Sequence, residues 1–159
     1  MNVRGQVASG RVASKAQPNA CFAGMRYFGV DEANRMVPLL NRTFERVRPW
    51  ATRAQEIYKE LESLRSQGKR DAFTETLQEQ HTALLERIRA ELQPLQEMGI
   101  EVKAADGLVD FHALLSERTV YLCWRYGETS VGYWHELETG IAGRQRIEDP
   151  DAFAPTYLS

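Results

Sequence analysis

Cysteine is scarce in this chain: 159 residues hold only Cys21 and Cys123. Two thiols, one in a tail-like region and one inside an apolar strand pattern, give no disulfide framework and no spaced zinc-ligand set. Cys123 reads as a small buried hydrophobe. Long apolar runs are also missing. Nothing approaches the roughly 20 residues a membrane-spanning helix needs, and the N-terminus has no apolar centre of a secretory signal, so the expected location is the cytoplasm, without a membrane partner. A surplus of one charge sign is absent too: 20 Lys and Arg stand against 22 Asp and Glu, a formal net charge of -2. The basic residues are scattered, which makes nucleic acid an unexpected partner. What remains is 43% apolar and 26% charged, the balance of a globular domain able to bury a core.

Residues 1–25 carry Arg4, Arg11 and Lys15, no acidic residue and little apolar mass, and are read as a disordered tail. Residues 26–147 are expected to form a single domain, with a helical hairpin over 26–99 and a sheet over 100–147. Residues 148–159, with Pro150 and Pro155, are read as an irregular tail.

Ala33, Val37, Leu40, Phe44, Val47, Ala51, Ala54, Tyr58 and Leu61 recur at spacings of three and four, the stripe of one long amphipathic helix. Asp31 is its expected N-cap. Pro38 and Pro49 remove amide donors inside the pattern, so kinks, or a short helix followed by a longer one, are expected. Gly68 suits a helix end and Asp71 the next N-cap. Leu77, His81, Leu84, Leu85, Ile88, Leu92 and Leu95 mark a second stripe, ending at Gly99. His81 among leucines is read as a packed histidine and Trp50 as a packing residue. Two helices that bury one stripe each need a sheet or a second copy to cover the rest. A homodimer through the hairpin is therefore expected.

After Gly99 the period changes to two. Strands are expected over 100–103, 108–111, 119–126 and 130–137, giving an α+β fold: a long antiparallel helical hairpin packed on a small antiparallel meander. With Gly127 and Glu128 as a tight turn, Leu122 faces Tyr133 and Val120 faces His135. One face then carries His135 beside Val120 and Trp124, and the other Tyr121, Cys123, Arg125, Trp134 and Glu136. Extending the pairing puts Asp110 and His112 on the second face.

The candidate ligand-binding residues are Asp110, Trp134, Glu136 and Arg144, with Gly140 and Gly143. Arg144 after two glycines suits a small anion, though the loop has no P-loop lysine or hydroxyl. His135 and Glu138, three residues apart, are the candidate metal ligands. No Ser-His-Asp arrangement is legible, and the cofactor, if any, is unknown from the sequence. The favoured function is a noncatalytic dimeric binding or assembly module with a site for a small anion, metal or protein partner on the sheet. The alternative is a metal-assisted hydrolase or isomerase using Asp110, Glu136 and His135.

The residues Phe28-Gly-Val-Asp-Glu-Ala-Asn34 with Pro38-Leu-Leu40, Gly107-Leu-Val-Asp-Phe111, Leu122-Cys-Trp124, Gly127-Glu128, Tyr133-Trp-His-Glu136, Gly140 and Gly143-Arg144 resemble the bacterial family known as domain of unknown function 2203. The resemblance spans roughly Met25 to Ile147. It implies a bacterial cytosolic protein and supports the segment boundaries, and it brings no activity. A proline often follows the Val-Asp-Phe run in that family, where this chain has His112.

Overall fold

A computed structural model describes residues 26–153. The tail read over residues 1–25 and the last six residues lie outside the described residues. Helix α1 runs Val30–Ser66 and helix α2 runs Ala72–Glu97. They are followed by strands β1 Ile100–Ala104, β2 Leu108–Leu115, β3 Arg118–Arg125, β4 Tyr133–His135 and β5 Gln145–Arg146. The strands form one antiparallel sheet in chain order, so the fold is α+β, a helical hairpin on a β-meander. Among the described residues no helix is long and apolar enough to cross a membrane.

The first stripe is read correctly from Ala33 to Val47, all buried at positions 33, 37, 40, 44 and 47. Beyond that it drifts: Ile57 is buried and Tyr58 is 45% exposed. Pro38 and Pro49 do not divide α1, which is continuous over 37 residues. Both prolines lie on the exposed side, where a missing amide bond is least costly and the apolar stripe still binds both flanks to the core. The helix starts two residues earlier than expected, with Gly29 in place of Asp31 as N-cap, because Phe28 N–H donates to His112 O at 2.7 Å and fixes where the chain enters. Asp71 caps α2 as expected, accepting from Thr74 N–H at 3.0 Å. Gly99 ends the hairpin at φ +85°, and a Cβ there would lie 3.0 Å from Arg26 Cβ, so this turn requires glycine.

One sheet face packs on the helices. Val109, Phe111, Ala113, Val120, Leu122 and Trp124 are fully buried and join Phe28, Leu40, Phe44, Val47 and Leu95 in the main core. Phe28 meets Phe111 edge-on, with ring centroids 5.0 Å apart, and Phe44 lies against Trp124. The sheet covers only part of the hairpin. Towards its tip the helices hold each other through a separate small cluster of Ile57, Leu61 and Leu77.

The hairpin between β2 and β3 closes through Ser116 and Glu117, both at positive φ, the backbone of a two-residue turn that matches strand twist. The next connection differs from the tight turn expected at Gly127 and Glu128. Residues 126–132 form a broad loop, and the register is Tyr121 with His135, Leu122 with Trp134 and Cys123 with Tyr133. That is one residue from the expected pairing, and a one-residue slip exchanges the faces. Trp134 therefore points to the core, against Phe153, and His135 points to the other face. Tertiary bonds hold the loop open: Trp124 Nε1–H donates to Glu128 O at 3.0 Å, and Val131 N–H donates to Asn34 Oδ1 of α1 at 2.7 Å. The C-terminal segment read as irregular contains a 3-10 turn, Pro150–Phe153, whose Phe153 is buried in the main core.

Candidate functional site

On the sheet face away from the helices, β2, β3 and β4 bring Asp110, Cys123 and His135 together. Asp110 pairs with Cys123 across β2 and β3, and His135 pairs with Tyr121 across β3 and β4. His135 Nε2 lies 3.1 Å from both Asp110 oxygens, and its Nδ1 lies 2.7 Å from Glu136 O. A backbone carbonyl only accepts, so Nδ1 carries a hydrogen. Nε2 faces the carboxylate, so both ring nitrogens have partners. The two side chains are 3% and 4% exposed, so water does not screen the interaction.

Cys123 is fully buried. Burial pushes its thiol up to about 12, and the nearby Asp110 charge adds to that, while Arg144 opposes it. At neutral pH it is a thiol and not a nucleophile. Tyr121 lies between two imidazoles tilted to its plane, with centroids 4.8 Å from His112 and 5.4 Å from His135. Its hydroxyl is raised by burial and by the Glu101 carboxylate. Burial would raise Glu101 as well, but hydrogen bonds from Tyr121 and Lys103, with the charges of Lys103 and His112, outweigh it and leave the carboxyl below its ordinary value. Lys103 Nζ lies 3.1 Å from Glu101 and 4.8 Å from the centre of the Tyr121 ring.

A cavity of about 210 Å3 opens above this floor, lined by Lys103, Leu108, Asp110, Tyr121, His135, Leu137, Gly140 and Ile141. The segment after β4 forms its far wall. Leu137 and Ile141 there are 46% and 38% exposed, an apolar rim above a polar base.

Of the residues singled out from sequence, Asp110, His135 and Gly140 meet at this cavity. The others do not. Trp134 faces the core, and Glu136 pairs with Arg118 at 2.8 Å. Glu138 is exposed, while the His135 ring is taken by Asp110 and Glu136 O. Arg144 makes paired 2.8 Å bonds to both Glu128 oxygens, donates to Cys123 O at 3.1 Å and covers the Tyr133 ring. It is a strut and not a free anion hook. Gly143 is explained by packing, since a Cβ there would lie 2.3 Å from Thr139 Oγ1. Cys123, Tyr121 and Lys103 join the site without being candidates on sequence grounds. Alternation alone puts Cys123 and Tyr121 on the Asp110 face, and that was the available signal.

The Arg144 strut has a pH signature. Burial raises Glu128, but hydrogen bonds from Arg144 and from Arg125 N–H, with both guanidinium charges, bring its carboxyl below the ordinary value. A carboxyl depressed in the folded state contributes stability above its unfolded value, and that contribution is lost as pH falls through the folded value. Glu128→Gln should cost roughly 1 to 2 kcal/mol at neutral pH and progressively less in acid. Urea unfolding of both proteins across the acid range checks this.

No curated protein and no solved structure matches the chain. The family model described as an uncharacterized conserved protein (DUF2203) matches residues 26–147, from just before α1 to just past β5 and with the whole Asp110–Cys123–His135 cluster inside it. This chain belongs to that family, domain of unknown function 2203.

Proposed function

We propose that this protein is a noncatalytic binding module of the cytoplasm. It associates through its helical hairpin and holds a small anionic molecule in the outer-face cavity. The observation that carries the reading is the make-up of that cavity: an ammonium group at Lys103, a polar floor of Asp110, Tyr121 and His135 whose polar atoms are already paired, and an apolar wall of Leu108, Leu137 and Ile141. Lys103 is held by an exposed pair with Glu101 and by the face of the Tyr121 ring. Such pairs contribute about 0 to 1 kcal/mol, so a ligand carboxylate or phosphate can compete for the ammonium. Covering Leu137 and Ile141 adds apolar burial. The anion reading thus moves from Arg144, which Glu128 occupies, to Lys103.

The absence of turnover is supported by the chemistry of the floor. His135 has no free ring nitrogen to act as a base, and Cys123 is held as a thiol. The metal-assisted hydrolase or isomerase would need Glu136 beside Asp110 and His135, and Glu136 is engaged by Arg118. A cytoplasmic setting agrees with the lack of a membrane-crossing helix among the described residues and with Cys123 as an unbridged buried thiol.

Self-association is supported at the hairpin. Tyr58, Phe73 and Leu85 are 45%, 55% and 42% exposed. Tyr58 and Leu85 also flank a groove of about 870 Å3 with Ala54, His81 and Ile88. A second hairpin laid along that groove would complete a four-helix contact.

Light scattering on the eluting protein should give twice the chain mass, and the double substitution Tyr58→Glu with Leu85→Glu should give one chain mass. A monomeric parent protein would contradict the association. For the ligand, amide spectra should be recorded against short-chain carboxylates and inorganic phosphate. Shifts should centre on Lys103, His135 and Ile141, with affinity at least about tenfold weaker in Lys103→Ala. Spectra unmoved by every one of these anions would contradict the cavity reading.

A further inference from the structure

The floor of the cavity offers more than hydrogen bonds. Carboxylate, thiol and imidazole are three different metal-ligating groups, and here one atom from each lies within 4.8 Å of the other two. We infer that Asp110, Cys123 and His135 form a three-ligand site for a divalent transition metal ion of the zinc class, with a fourth position open to the outer-face cavity.

Size comes first. In a tetrahedral zinc site with bonds of about 2.0 to 2.2 Å, nitrogen and oxygen ligands stand about 3.3 Å apart. His135 Nε2 and the Asp110 oxygens stand at 3.1 Å, so an ion needs a small widening of that gap, with Cys123 Sγ, within 4.8 Å of both, closing onto it. Orientation follows. Metal-bound histidines present one nitrogen to the ion and donate from the other to a carbonyl or carboxylate. His135 has that arrangement, with Nδ1 on Glu136 O at 2.7 Å and Nε2 turned to Asp110. The ring is locked before any ion arrives.

Charge is the third argument. Asp110 with Cys123 bound as thiolate balances a dication, so the loaded centre is neutral and burial does not penalise it as it would a lone ion. The guanidinium nearest Cys123, Arg144, is already paired with Glu128. Thiolate with imidazole and carboxylate selects zinc or cobalt over magnesium or calcium, which prefer oxygen. The open side is defined as well, since Asp110 and His135 line the cavity and Cys123 is buried behind them. Without an ion the three groups satisfy one another, so the metal-free chain stays folded. The inference stands without the small-anion reading, because the probe is the metal alone.

The test uses the full chain, stripped with a chelator and titrated with Co2+. The substitution Cys21→Ser leaves Cys123 as the sole thiol, because the chain has two cysteines. The parent and Cys21→Ser proteins should each bind one Co2+ per chain, with thiolate-to-cobalt charge-transfer absorption that Zn2+ abolishes. Asp110→Asn should bind at least about tenfold more weakly. Folded Cys21→Ser protein that gives no charge-transfer band with excess Co2+ would overturn the site. So would a band that disappears with Cys21. Neither result depends on whether a Cys123 variant folds.

Discussion

The contact between Asp110 and His135 is the constraint on which the outer half of this molecule depends. Taking a carboxylate and an imidazole out of water costs several kcal/mol unless each satisfies the other. At 3% and 4% exposure, with two 3.1 Å separations and a carbonyl on the far ring nitrogen, the two side chains do so. That requirement discriminates between strand registers. A shift of β4 by one residue would turn His135 into the apolar core beside Leu122 and leave the buried Asp110 without a partner. It would also carry Trp134 away from Phe153. Pair, register and core therefore specify one another.

The helical half was legible because its signals are local. Apolar spacing at Val37, Leu40, Phe44 and Val47, a cap at Asp71 and a stop at Gly99 each depend on a few neighbouring residues. The meander and the α+β class followed from the change of period after Gly99. Prolines misled, since Pro38 and Pro49 suggested interruptions that a long packed helix absorbs. Tyr58 fits the apolar spacing of the stripe, while in the fold its hydroxyl donates to Glu62.

The site was only half legible, and the reason lies in one loop. Asp110, Tyr121 and Cys123 fall on one face by alternation alone, without knowledge of the loop. His135 does not, because its placement depends on residues 126–132. That loop is shaped by Val131 bonding Asn34, a residue 97 positions away, and by Arg144 reaching back 16 positions to Glu128. Bonds of that range leave no periodic trace. Glycine and arginine at 140–144 suggested an anion loop for the same reason, since the sequence does not display the carboxylate that occupies Arg144.

Function divides along the same line as the structure. The inner sheet face and the base of the hairpin make the core, while the outer face gathers ionisable groups around a cavity and the hairpin tip exposes apolar surface. The most direct check on this account is a double-mutant cycle on unfolding free energy, made in chelator, for Asp110→Asn and His135→Gln. A coupling of roughly 1 to 3 kcal/mol between the two positions is predicted. Additive effects, with coupling near zero, would mean that the two side chains do not meet and that the outer face is wrongly assembled.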